Sequence, residues 1–217
     1  MVLDRRSLHV YVVTSAGGSG RGHQEIAEAA IAGGATAVQL RAPELADEQL
    51  LPLASILAAR CRDAGVLFVI NDRVEVALAC GAGGVHLGQH DDPAGARARL
   101  GSGPVLGVSV GSAGEARSAE VAGADYLGVT VWATATKPDA EPRGIDGVRS
   151  VVLASPLPVV GIGGIVPANA GAVLGAGAAG VAVISAVSSA PDPAAAVREL
   201  RRIVDGYRSI GEGRAHG

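Results

Sequence analysis

The feature that most narrows what this chain can fold into is an eightfold alternation. Short runs rich in Val, Ile and Leu are each followed by a longer Ala-rich stretch dotted with charge. Read as strands, the short runs are Leu8–Thr14, Ala37–Arg41, Leu67–Asn71, Gly84–Gly88, Val105–Ser109, Asp125–Val129, Val159–Gly161 and Gly180–Ile184. The spacing predicts helices over His23–Ala32, Asp47–Asp63, Val74–Cys80, Pro93–Leu100, Ala113–Ala122, Ile145–Ala154, Ala168–Leu174 and Pro193–Arg208. Glycine clusters such as those at 81–84, 122–125 and 175–180 precede strands, where Gly supplies the left-handed residue that ends a helix. Eight such units exceed the five or six of a doubly wound sheet. They predict the α/β class and a single (β/α)8 TIM-barrel domain over residues 1–217. No linker is visible, and the tail from Ile210 to Gly217 is expected to fray.

Composition removes several function classes. A net charge of −3 argues against a nucleic-acid partner or an anionic membrane, either of which favours a basic face. Cys61 and Cys80 lack zinc-ligand spacing and read as small buried hydrophobes. Ser150 to Pro191 carries no charged residue, but Pro156, Pro158 and Pro167 break it into pieces too short for a helical membrane span. The N-terminus lacks the order of a signal peptide, so a cytoplasmic protein is expected. With aromatics at only 2%, the core must be filled by Ala, Val, Leu and Ile.

In such a barrel the chemistry sits at the C-terminal ends of the strands. Period-2 alternation on the second strand sends Val38 and Leu40 toward the helices, and Gln39 and Arg41 inward. The third strand ends at Asn71-Asp72, and the fourth runs through His86 to Asp91. His86 reads equally as a hydrogen-bonded core histidine or as a site residue. Asp72 and Asp91 end adjacent strands, which lie about 4.8 Å apart. Such a pair suits Mg²⁺, which takes one or two carboxylates, waters and a substrate phosphate. The alternative is that each caps the helix that follows it. Gly161-Ile-Gly163-Gly164, together with Ile184 and Ser185 after the last strand, forms a backbone cradle for a phosphate, or else serves tight packing alone. Thr134, Thr136 and Lys137, the chain's single lysine, suit a second and more highly charged phosphate group. Two phosphorylated ends in one site suggest joining or splitting two substrates, with pyrophosphate leaving.

Those pieces resemble the thiamine-phosphate synthase family: Gln39-Leu-Arg41, Asn71-Asp72, Gly84-Val-His86-Leu-Gly88-Gln89-His-Asp91, Gly107-Val-Ser109, Thr134-Ala-Thr136-Lys137, Gly161-Ile-Gly163-Gly164 and Val183-Ile184-Ser185-Ala186. They follow the family's order over about residues 10–205. The resemblance implies an Mg²⁺-dependent transferase. It joins hydroxymethylpyrimidine diphosphate to hydroxyethylthiazole phosphate and releases thiamine phosphate and pyrophosphate. It implies that Asp72 and Asp91 hold Mg²⁺, that Arg41, Asn71 and Lys137 bind the diphosphate, and that Gln39 places the pyrimidine. It also implies that Ser109 binds the departing pyrophosphate, with Ser109, Lys137 and Arg41 acting in catalysis. Thr134, Thr136, Gly164, Ile184 and Ser185 would hold the thiazole phosphate. The expected partners are these small molecules alone, with no nucleic acid or membrane, and a homo-oligomer fits the pattern.

Three departures stand out against the family pattern. Pro43 occupies the place of a Lys, Gly111 that of a His, and the loop opening at Val129-Thr130-Val131-Trp132 is about one residue short. Arg21 is a candidate replacement for the missing cation. The departures keep two alternatives in view: a thiazole tautomerase-like enzyme, or a non-catalytic barrel that binds thiazole phosphate or thiamine phosphate.

Overall fold

The computed structural model describes residues 3–15, 20–134 and 140–215, with side chains to 209. Thr136 and Lys137 therefore lie outside the described residues. A 3-10 turn at Arg5–Leu8, capped by the Asp4 carboxylate on the Arg6 amide, leads into the first strand. The strands are β1 Val10–Val13, β2 Ala37–Leu40, β3 Leu67–Asn71, β4 Gly84–Leu87, β5 Val105–Ser109, β6 Tyr126–Thr130, β7 Val159–Ile162 and β8 Gly180–Val183. They pair in parallel in chain order, and β1 pairs with β8, so the barrel closes. The helices are α1 His23–Ala32, α2 Asp47–Asp63, α3 Val74–Cys80, α4 Pro93–Leu100, α5 Ala113–Val121, α6 Gly144–Ala154, α7 Pro167–Gly175, α8 Ser185–Ser188 and α9 Pro193–Ala215.

Alternation along each strand sorts the core into two layers. Val10, Val12, Val38, Leu40, Val85 and Leu127 face outward and pack with the helices. Tyr11, Val13, Val69, Val105, Tyr126, Val160 and Ala182 face inward and fill the barrel. The expected elements match to within one or two residues, with three differences. Leu8 belongs to the 3-10 turn, so β1 starts at Val10. Helix α9 continues as helical backbone to Ala215, well past Arg208. Helix α8 was not anticipated, because four residues are too short to display a helical period.

The charge-free segment supplies β7, α7, β8 and α8, and its Val159, Val160, Val173, Leu174, Val181 and Val183 are buried. Among the described residues no helix is long and apolar enough to cross a membrane. Cys61 is buried and free, its thiol pushed up to about 12 by burial, as expected of a packing residue. At the opposite end of the barrel from the strand C-termini, Arg97 ties together Gly101, Pro104, Gly123 and Asp125, a strap with structural character.

Closure tolerates no extra atom at some glycines. A Cβ at Gly180, the first residue of β8, would overlap the Leu8 carbonyl oxygen, whereas one at Gly171 within α7 meets nothing within 4 Å. Gly180→Ala should therefore cost about 1–3 kcal/mol in urea unfolding. Gly171→Ala should gain roughly 0.5–1 kcal/mol from its lower unfolded-state entropy. Equal effects would refute this packing.

Candidate active site

At the C-terminal rim, a cavity of about 710 Å³, open to solvent, is lined by Gln39, Arg41, Asn71, His86 and Ser109 on one side, with Thr134 beside Gly163. Gly163, Gly164, Ile184 and Ser185 line it on the other. Eight expected site residues thus share one space, although they span most of the chain. A second cavity of about 840 Å³ adjoins it, sharing Ser109 and Thr130 and adding Asp91, Gly111 and Arg143.

Each side chain has a local reason for its place. Gln39 and Arg41 face inward because Val38 and Leu40 pack outward. A relay supports the loop that carries Arg41. The Arg41 amide donates to the buried Thr14 hydroxyl at 3.4 Å, Thr14 meets His23 Nδ1 at 2.8 Å, and His23 Nε2 meets Glu44 at 2.8 Å. A carboxylate only accepts, so His23 Nε2 donates to Glu44. Burial pushes the Glu44 carboxyl up, but the His23 hydrogen bond, a backbone hydrogen bond and the His23 and Arg41 charges together hold the group below its ordinary value. No single residue of this relay stands out in the sequence, because its members are far apart and of ordinary type.

Asp72 and Asp91 are not helix caps. The cap position of α3 is Arg73, with no side-chain cap bond, and that of α4 is Asp92, whose carboxylate accepts from the Gly95 amide at 3.0 Å. Asp72 has φ +62°, the one described non-glycine residue in the left-handed region, and its carboxylate accepts from Asn71 Nδ2 at 2.5 Å. A non-glycine residue held there carries some backbone strain. Asp91 accepts from the Gly88 amide at 2.6 Å and lines the second cavity. Asp72 lines neither cavity but follows Asn71 at the end of β3, and its amide donates to the His86 carbonyl. The described residues contain no group of three or more His, Cys, Asp or Glu side chains arranged for a metal. Both carboxylates are exposed, and two such groups would suit Mg²⁺, which completes its shell with water and substrate oxygens.

On the opposite side, Gly163 and Gly164 have φ +90° and +64°, and a Cβ on Gly163 would meet the Trp132 carbonyl oxygen at 2.7 Å. Only glycine fits this approach of two loops. Helix α7 is less directly involved than its sequence position suggests, because Asn169 accepts from the Val166 amide and donates to the Gly164 carbonyl. Instead, α8 opens immediately after β8, with Ile184 at its cap position and Ser185 in its first turn, where amides lack intrahelical acceptors. The cradle is therefore made by the β7 turn and α8.

Two of the anticipated substitutions resolve differently. Arg21 donates to the carbonyls of Ser188, Ala190 and Pro191 and pairs with Glu25, so it braces α8 rather than replacing the cation absent at Pro43. At Gly111, a Cβ would lie 2.6–2.8 Å from the Arg143 guanidinium. The missing side chain makes room for a cation from a distant loop, itself paired with Glu141 at 2.8 Å. Sequence reasoning missed Arg143, since its relation to Gly111 exists only in three dimensions.

Comparisons with known proteins identify the family. A family model described as thiamine monophosphate synthase matches residues 10–187. A thiamine-phosphate synthase of Moorella thermoacetica is 52% identical over 200 residues, covering 91% of this chain and 95% of that protein. One of Methanoregula boonei is 50% identical over 198 residues, covering 89% and 92%. Among solved structures, a thiamine phosphate pyrophosphorylase of Pyrococcus furiosus superposes with a TM-score of 0.87 at 40% identity, covering 94% of this chain and 98% of that one. A 3-hexulose-6-phosphate synthase, at 21% identity and a TM-score of 0.70, shares the fold alone.

The two readings of the carboxylates separate in stability measurements. Asp92→Ala should cost about 1 kcal/mol by removing the α4 cap. Asp72→Gly should keep stability or raise it by up to about 1 kcal/mol as left-handed strain is relieved. The reverse ranking in urea unfolding would give Asp72 a structural role.

Proposed function

The chain belongs to the thiamine monophosphate synthase family, and we propose that its rim joins hydroxymethylpyrimidine diphosphate to hydroxyethylthiazole phosphate with the help of Mg²⁺. The observation that carries this reading is the single cavity shared by Gln39, Arg41, Asn71, Ser109, Thr134, Gly164, Ile184 and Ser185. The thiazole ring nitrogen attacks the pyrimidine methylene carbon, the bond from that carbon to the diphosphate oxygen breaks, and pyrophosphate leaves with the bonding pair. Charge builds on the leaving group, so preorganised donors and cations around it lower the barrier. No strong general base is required.

For the described residues position supports the roles proposed here, and those of Thr136 and Lys137 rest on the resemblance alone. Gln39, on the inner face of β2, orients the pyrimidine. Arg41 and Asn71 bind the diphosphate, joined by Lys137. Ser109, shared by both cavities, donates to the departing pyrophosphate. Arg143, over Gly111 in the second cavity, supplies a cation on that side and offsets the one absent at Pro43. Thr134 and Thr136 close over the thiazole phosphate, which rests on Gly164, Ile184 and Ser185. Asp72 and Asp91 would hold Mg²⁺, which when bound neutralises diphosphate charge. Bound substrates that fill the cavity would displace water from the reacting carbon and strengthen each of these contacts.

The test mixes purified protein with both substrates and follows thiamine phosphate and pyrophosphate with Mg²⁺ and with EDTA. Metal-dependent formation of both products in equal amounts is expected, and no product from intact substrates would refute the reading. In the same assay Arg143→Gln and Arg41→Gln should each lower kcat/KM for the diphosphate by on the order of 10- to 100-fold. Their KM for the thiazole phosphate should change little.

A further inference from the structure

A continuous hydrogen-bonded chain crosses the barrel beneath the cavity and links two of its lining residues. Gln39 Nε2 donates to the Tyr11 hydroxyl at 2.8 Å, and the Tyr11 and Tyr126 hydroxyls lie 2.9 Å apart. The Tyr126 hydroxyl lies 3.0 Å from His86 Nδ1, and His86 Nε2 lies 3.0 Å from Ser109 Oγ. Both tyrosines are buried, and burial raises their hydroxyls well above the ordinary value, so each keeps its proton. Two glycines clear the space. A Cβ on Gly107 would overlap the Tyr126 ring, and one on Gly128 would meet His86 Cε1 at 3.0 Å.

With the Gln39 amide nitrogen toward Tyr11, proton counting gives the chain one direction. Tyr11 already accepts from Gln39, and each tyrosine has one hydrogen to give. If Tyr126 donated to Tyr11, the Tyr11 hydrogen would have no described acceptor while buried, which is costly. Tyr11 therefore donates to Tyr126, Tyr126 donates to His86 Nδ1, and His86 Nε2–H donates to Ser109 Oγ. The Ser109 hydrogen is then directed outward to the cavity. At the other end Gln39 commits its amide nitrogen to Tyr11, and its Oε1 has no hydrogen-bond partner among the described residues.

We propose that Tyr11, Tyr126 and His86 are positioning residues that hold Ser109 as a hydrogen-bond donor and Gln39 as an acceptor toward the bound substrates. This rests on the proposed reading of the cavity and deepens it. An anionic phosphate oxygen needs a donor, and an amino group on a pyrimidine needs an acceptor. One chain of buried hydroxyls sets both polarities together. Without it, Ser109 and the Gln39 amide could each turn to present the wrong atom, and a fraction of the bound complexes would be non-productive.

The most direct test needs no variant. In ¹⁵N NMR of the imidazoles at alkaline pH, with the His86 signal assigned by its loss in His86→Asn, the ring should be the tautomer protonated at Nε2 and bare at Nδ1. Protonation at Nδ1 would overturn the direction of the chain. Tyr126→Phe should release the tautomer to a mixture and lower kcat by on the order of 10-fold or more, with thiazole-phosphate KM little changed. Tyr11→Phe should act chiefly on KM for the pyrimidine diphosphate. A folded Tyr126→Phe protein with the wild-type imidazole spectrum and kcat would overturn the positioning role. The tautomer reports on the chain whether or not the wild type turns over these substrates, so a failure of the functional reading stays distinguishable from a failure of this one.

Discussion

Everything in this molecule depends on closure of the sheet. Because β1 pairs with β8, every strand is hydrogen-bonded on both sides and buried on both faces. A polar side chain on such a strand has two options: satisfy itself inside the barrel, or emerge at the rim. The inward positions use both. Val69, Val105, Val160 and Ala182 give an apolar interior, and the two tyrosines within it hydrogen-bond to each other, to Gln39 and to His86. At the rim, Arg41, Asn71, Ser109 and Ser185 open into the cavity. The site is thus the top of a packed interior, and its accuracy comes from the layers below it.

The two halves of the rim differ electrically. Among the described residues the side made by Gly163, Gly164, Ile184 and Ser185 has no charged side chain and offers backbone and hydroxyl donors. The other side collects Arg41, Asp91 and Arg143, with Asp72 nearby at the end of β3. A phosphate that only needs anchoring can rest on neutral donors, while a leaving group that gains charge needs cations placed beforehand. Pro43 removes one cation from the family pattern, and Arg21 is committed to the carbonyls after α8. The guanidinium of Arg143, paired with Glu141, occupies the space left by the missing side chain at Gly111.

Most of the fold is legible in the sequence because its signals are local. Period-2 strands, helical spacing and glycine stops place all eight strands and eight of the nine helices to within one or two residues, apart from the C-terminal end of α9. Single-residue register is harder to read. In Asp91-Asp92-Pro93 either carboxylate could cap α4, and only the structure assigns the cap to Asp92 and leaves Asp91 for the cavity. Long-range pairings leave almost no local trace, which is why the Thr14–His23–Glu44 relay and the Arg143–Gly111 contact were not read. The buried tyrosines did leave a signal, since two of the chain's three tyrosines fall at inward positions of predicted strands.

The central claim is that one rim holds a metal and diphosphate on its charged side and a phosphate on its neutral side. The measurement that tests it most directly is a crystal structure of the protein with thiamine phosphate, pyrophosphate and Mg²⁺. The account predicts the metal on Asp72 and Asp91, pyrophosphate against Arg41, Ser109 and Arg143, and the thiamine phosphate group on Gly164 and Ser185. Pyrophosphate on the neutral cradle, or a metal bound away from both carboxylates, would contradict it.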